Sequence, residues 1–323
     1  MLVEQESTLW LAVQTQQLPK ANLLFSPRLG VNWDVANDGK TQVRGGTGIF
    51  TGRPAYVWIS NQIGENGILT GANALSDILI ESSVFVRNGF GDGQSHNMYI
   101  GNVRSLTVRG SWIHDAHVGH NLKSRANTNL IEGNRITSED NGDPSYEIEF
   151  PNGGVAWVLG NVIQQGVNAG NPTLISFAAE GPSNPVQALF VAFNTAIDDR
   201  GNGLLVRNFG AVPATLIDNV IIGRMAVLNG AGTSVGEVLT ASFVDRATFD
   251  LHLAPGSAGI GTARAPVMGA GRLLVPSIEY VHPALQRPRT TALDVGAFDG
   301  TPVVVADAGV RDTGTRDAGV PVS

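Results

Sequence analysis

The chain has 323 residues, 42% of them hydrophobic and only 15% charged, with 40 glycines and no cysteine. There is apolar material for a sizeable core, while disulfides and thiolate metal sites are excluded. A net charge of −7 without any basic block argues against a nucleic-acid partner. The N-terminal "MLVEQESTLWLAVQTQQ" carries Glu4 and Glu6 and lacks a basic start followed by an apolar run, so it does not read as a signal peptide. No segment approaches the roughly 20 apolar residues of a membrane helix.

Three zones follow one another: residues 1–72, 73–300 and 301–323. In the first, Leu29, Val31, Trp33 and Val35 alternate with smaller or polar residues, as do Val43, Gly45, Thr47 and Ile49 beyond "NDG". Two alternating runs around such a turn predict a β-hairpin. The stretch "SPRLGVNWDV…DGKTQVRGGTGIFTGRP" resembles part of the barrel of bacterial TonB-dependent outer-membrane receptors, over residues 20–62. Two or three strands cannot close a barrel in lipid. The segment therefore reads as a fusion or gene-fragment remnant, the alternative being a soluble hairpin over the open end of the next domain.

The middle zone repeats. "ILIESSVF" (78–85), "LTVRGSWI" (106–113), "NLIEGNRI" (129–136), "AWVLGNVI" (156–163), "LFVAFNTA" (189–196) and "ATLIDNVI" (214–221) each run apolar, then a turn-forming residue, then Ser or Asn, then apolar again. The marker residues Ser83, Ser111, Asn134, Asn161, Asn194 and Asn219 recur at spacings of 28, 23, 27, 33 and 25 residues, a solenoid period without the 3.6-residue rhythm of helical repeats. Asn tolerates left-handed dihedrals and bonds turn backbone, so stacked Asn corners predict an amide ladder. The fold class expected is all-β, a parallel β-helix of about six or more coils. The zone resembles right-handed β-helices of the pectate-lyase type, and "HNMYIGN", "VGHNLKSRAN" and "YEIEFPNGG" resemble a secreted bacterial group of that fold. "DLHLAPGSAGIGTA" and "EYVHPALQRPRTTALDVGAFDG" resemble the closing segments of such proteins.

Between the Asn-corner runs lies a second strand family: "NMYIGN" (97–102), "HNLKSRA" (120–126), "YEIEFPN" (146–152) and "TLISFAAE" (173–180). Placing Met98, Ile100, Leu122, Tyr146, Ile148 and Phe150 inward turns Tyr99, Asn121, Lys123, Arg125, Glu147 and Glu149 outward. Stacked coils are then expected to align Tyr99, Asn121 and Glu147 in one column, with Gly101, Lys123 and Glu149 in the next. Such a face suits a polysaccharide partner, and two chemistries compete for it. A uronate lyase needs a base, for which Lys123 or His120 serves, and positive charge at the substrate carboxylate, which Arg125 supplies. A glycoside hydrolase needs two carboxyl groups, and Glu147 with Glu149 offers them.

Tyr99, Asn121, Arg125 and His96 are the expected substrate-binding groups. No cofactor is required, although Glu147 and Glu149, with Asp143 and Asp140 of an overhanging acidic loop, offer oxygen ligands for Ca²⁺. "LKSRAN" resembles the Lys-Ser strand of calcium-dependent alginate and chondroitin lyases, but here the Glu pair follows the Lys by a coil, so that mechanism is not carried over. His114, His117 and His120 cross a corner and read as turn residues rather than as a metal set. "GFGDGQSHN" lacks the Lys and helix of a phosphate loop.

The tail "DAGVRDTGTRDAGV" has almost no large apolar side chains and reads as a flexible linker. The combined expectation is a monomeric polysaccharide-processing protein of the bacterial surface or exterior. A non-catalytic carbohydrate-binding or adhesin module and a nonfunctional chimeric fragment are the alternatives.

Overall fold

The computed structural model describes residues 28–34, 42–48, 66–139, 141–291 and 293–300. β1 (Arg28–Asp34) and β2 (Gln42–Gly48) pair antiparallel with Trp33 opposite Val43, so the two alternating runs do form a hairpin. Its "NDG" turn, Asp140 and the repetitive tail lie outside the described residues.

From Ile68 the chain winds into a parallel β-solenoid of about six turns with three walls and almost no helix. The first wall is a seven-stranded sheet of β4 (Asn73–Glu81), β7 (Val103–Arg109), β10 (Thr128–Glu132), β13 (Val155–Leu159), β16 (Ala188–Ala192), β18 (Ala214–Ile217) and β20 (Gly232–Val235). β5 (Val84–Val86), β8 (Trp112–His114), β11 (Arg135–Thr137) and β14 (Val162–Gln165) build the second. The third holds β3 (Ile68–Leu69), β6 (Met98–Ile100), β9 (Leu122–Ser124), β12 (Ile148–Phe150) and β15 (Thr173–Phe177). β17 (Thr195–Asn208) and β19 (Val220–Asn229) run through both of these walls and join them into one sheet.

Period-two alternation makes the core. Ile80, Val108, Ile131, Val158, Val191 and Leu216 lie in register inside the first wall. Ile113, Ile136, Ile163, Ala196 and Ile221 do so in the second, and Met98, Leu122, Ile148, Ile175 and Val206 in the third. Together they form one buried cluster, in which each large aliphatic side chain contributes about 1.5–3 kcal/mol.

The first corner is turned by a left-handed residue, Ser82, Gly110, Gly133, Gly160, Phe193 or Asp218, at φ between 46° and 62°. The residue after it forms the expected ladder. Asn134, Asn161 and Asn194 each donate a backbone N–H to the next Asn side-chain oxygen at 2.9 Å. Ser111 joins the same way, and Glu237 ends the stack by accepting from Asn219 N–H at 2.7 Å. Asn and Ser bring a short side-chain acceptor that satisfies this buried main chain.

After the last coil, three antiparallel pairs lead back along the outside: β21 (Phe243–Asp245) with β22 (Asp250–Leu253), β23 (Met268–Gly269) with β24 (Arg272–Leu273), and β25 (Ile278–Val281) with β26 (Leu285–Pro288). This strap lies on the corner glycines. A Cβ at Gly160 would stand 2.6 Å from Pro276, and one at Gly133 2.9 Å from Ile278. Trp157 Nε1 donates to Gly269 O at 2.9 Å, and Ser277 N–H to the buried Glu132 carboxylate at 2.6 Å. The strap's bonds and ring contacts run to the first two walls, and the outer face of the third carries the polar side chains considered next.

Candidate functional site on the third wall

Short strands with an apolar–polar–apolar pattern leave one outward side chain per coil, and parallel register stacks them. β6, β9 and β12 pair Tyr99 with Lys123 and Lys123 with Glu149, and β15 adds Ser176. Tyr99, Lys123 and Glu149 thus share one column. The expected columns need correcting: Lys123, not Asn121, stands beside Tyr99. Met98 rather than Ile100 lies over Leu122, a two-residue slip that keeps every side chain on its face. Sequence alternation specifies the face but leaves such a slip open.

Asn121 and Glu147 are not surface groups. Both are buried at the second corner, in a column with Asn97. Asn97 Nδ2 donates to Asn121 Oδ1 at 2.7 Å, and Asn121 Nδ2 donates to Glu147. Asn121 Nδ2 also reaches Thr137 O at 3.1 Å, and the Ser138 hydroxyl donates to Glu147. This second amide ladder closes on a carboxyl group. Its signature was present in the triplets Ser95-His96-Asn97, Gly119-His120-Asn121 and Ser145-Tyr146-Glu147. The middle residues stack as well, with His120 4.6 Å from His96 and 5.1 Å from Tyr146 between ring centroids. Tyr146 is therefore part of a ring stack at the corner and not of the core. The regular pleat starts only at Ile148.

The charged groups form one network. Lys123 Nζ lies 3.0 Å from Glu149 Oε2 and 2.9 Å from Glu180 Oε1. His120 Nε2 holds the same Glu149 oxygen at 3.0 Å. Arg125 donates from Nε to Tyr99 Oη at 2.7 Å, from one terminal nitrogen to Asn152 at 2.6 Å, and pairs through the other with Glu180 Oε2 at 2.7 Å. Glu180 closes the run 173–180 read as a strand but was not singled out; the strand ends at Phe177, and Glu180 sits in the turn that follows. Asn152 likewise ends the run 146–152, but the strand stops at Phe150 and leaves it in the "PNGG" turn.

Burial alone would lift the Glu149 carboxyl, yet His120 and Lys123 against it bring it down to about 2. Burial pulls the Lys123 ammonium down, but its two carboxylates outweigh this and hold it above its ordinary range. Desolvation, helped by the neighbouring His120 and Lys123 charges, lowers His96 to about 3, so its ring is neutral. His96 Nδ1 accepts the His120 N–H at 2.9 Å, which leaves the ring proton on Nε2. Enclosure in the corner, with Asp115 nearby, raises Glu147 to about 8 despite the bonds from Ser138 and Asn121.

Of the four carboxylates expected to hold Ca²⁺, Asp140 lies outside the described residues and the other three do not converge. Glu147 is enclosed, Glu149 is capped by Lys123, and Asp143 takes the His117 ring and Val118 N–H, both at 2.9 Å. The Lys123 ammonium fills the place beside Glu149 that a cation needs. Among the described residues, His114, Asp115 and Glu139 bring ligand atoms within 4.8 Å of one another. There the Arg135 guanidinium already pairs with Glu139 at 2.7 Å, and Arg87 lies 3.7 Å from Asp115. His114, at the end of β8, His117 and His120 each meet a different carboxylate, Asp115, Asp143 and Glu149.

Beside His120 opens a cleft of about 410 Å³ lined by Val118, Asp143, Ser145 and Asn168 with Gly93 and Gly170. It adjoins the charged network and is within the size range of a small-ligand site. No family model, curated protein or solved structure matches the chain. Among the described residues no helix is long and apolar enough to cross a membrane.

Proposed function

We propose that the third wall binds an acidic polysaccharide outside the bacterial cell and cleaves it by elimination, as a uronate lyase. The observation that carries this reading is the convergence of Lys123 and Arg125 on the two oxygens of a single carboxylate, at 2.9 and 2.7 Å, beside the Tyr99 hydroxyl. Two cations on one carboxylate are what makes the adjacent C–H acidic. A base removes that proton, the electron pair forms a C=C bond, and the glycosidic oxygen leaves and takes up a proton. Lys123, held as an ammonium, neutralises charge and does not serve as the base. Reacting as its phenolate, Tyr99, whose oxygen accepts from Arg125, takes the proton, and the phenol so formed hands it to the departing glycosidic oxygen. Hydrolysis by Glu147 and Glu149 is disfavoured, because Glu147 is enclosed and reaches no substrate.

A non-catalytic binding module is the second reading, favoured by the complete pairing of both cations with Glu149 and Glu180. Incubation with a panel of polyuronates and neutral glycans separates the two, reading ultraviolet absorbance of unsaturated products and new reducing ends. Elimination predicts unsaturated ends from an acidic member, lost in Tyr99→Phe while binding persists. Binding without new ends supports the module, and neither binding nor turnover removes the glycan reading. The receptor likeness of residues 20–62 has no part in this proposal.

A further inference from the structure

The carboxylate that Lys123 and Arg125 grip belongs to the chain itself. Each oxygen of Glu180 meets a different cation, Oε1 on Lys123 and Oε2 on Arg125, in the bridging geometry of a bound acid. The other acid of the network is held differently. Glu149 is 4% exposed at its side chain and pinned by His120 as well as Lys123, whereas Glu180 is 44% exposed. The main chain under Glu180 is fixed, because its N–H donates to Pro151 O at 3.0 Å. Asn184, further along the same loop, donates to Ala126 O at 3.0 Å and Gly153 O at 3.2 Å. Only the side chain has to leave for the two cations to be freed.

We infer that Glu180 occupies the seat of the substrate's carboxylate and is displaced by it, so that this subsite selects a free uronate over its ester. A uronate reproduces both ion pairs when it replaces Glu180, since the charge and the oxygen spacing are the same. A methyl ester carries no charge and cannot compensate for the pairs it breaks, so it is rejected. Binding an acid then costs the displacement of one exposed side chain, a tax on apparent affinity set by the fraction of time the seat stands free. This inference rests on the reading of the third wall as the glycan-binding face.

The test is calorimetric titration of the full chain and its Glu180→Ala and Glu180→Gln variants with oligogalacturonate, oligoglucuronate, oligomannuronate and their methyl esters. Glu180→Ala empties the seat and is expected to tighten the acidic ligand about tenfold. Glu180→Gln removes the charge but still fills the space and gains less. The methyl esters gain nothing from either variant. Equal gains in the two variants, or gains shared by the esters, would show a general charge effect and overturn the inference. Unchanged affinity for an acid that does bind overturns it too, while leaving the glycan-binding face in place. If no acidic ligand binds any of the three proteins, that face and the inference fall together.

Discussion

Replacing Glu147 by Gln tests the second ladder through its pH dependence. The carboxyl is buried between the Ser138 hydroxyl and the Asn121 amide and is raised from 4.5 to about 8. Below pH 4.5 it is protonated in both native and unfolded chains and costs nothing. Between pH 4.5 and 8 the unfolded carboxyl ionises while the native one stays neutral, so native stability falls as pH rises. At about 1.4 kcal/mol per pH unit, the loss reaches about 4 kcal/mol by pH 8, where the native group is half ionised. Gln keeps the shape and the bonds: Oε1 accepts from Asn121 and Nε2 donates to Ser138 Oγ. Glu147→Gln should therefore be near neutral at pH 4.5 and stabilising by about 4 kcal/mol at pH 8. Urea unfolding of both proteins at the two pH values measures the difference, and all other titrations cancel between them. A mutational effect that is the same at both pH values refutes the reasoning, because Glu147 would then be ionised in the native chain.

Glu149 behaves in the opposite sense. Its carboxyl is lowered from 4.5 to about 2, so the stability it contributes is present above pH 4.5 and lost as pH falls toward 2. Glu149→Gln should remove about 3 kcal/mol of that acid-side slope, seen as a flatter melting temperature against pH. In the first ladder, Asn161 accepts from Asn134 and donates to Ile131 O and Asn194. Asn161→Ala should cost about 3–5 kcal/mol in urea unfolding, and Asn161→Ser clearly less, as Ser111 already performs the acceptor role. Gly133→Ala meets Ile278 at φ +60° and should cost about 2–4 kcal/mol. By comparison, Gly181→Ala at φ +99° meets nothing within 4 Å and should cost only about 1–2 kcal/mol. Trypsin cleavage of the strap should accelerate in Gly133→Ala alone.

Much of the solenoid was legible before any coordinate. The repeating apolar runs specify which side chains face inward, and Ser or Asn after a left-handed residue specifies the first corner, because few other side chains satisfy a buried turn. The outward face of Lys123 and Arg125 follows from the same alternation. The site was legible only in part. Tyr99, Lys123 and Glu149 do share a column, but the neighbour of Tyr99 depends on a register that a period of two leaves uncertain by two residues. Asn121 and Glu147 look like surface groups in sequence, since the loops that enclose them arrive from other coils.

By itself, the sequence determined what depends on neighbours a few residues apart: strand periodicity, the corner residues, the antiparallel pairing of 28–34 with 42–48 and the repeat length. Tertiary structure alone decided what depends on residues brought together from different coils. It set the register of the third wall, the enclosure that raises Glu147, and the grip of Lys123 and Arg125 on Glu180, 57 residues from Lys123. The physical reason is that ionisation and ion pairing depend on distance and solvent access in space, and a solenoid places side by side groups that the chain keeps a whole coil or more apart.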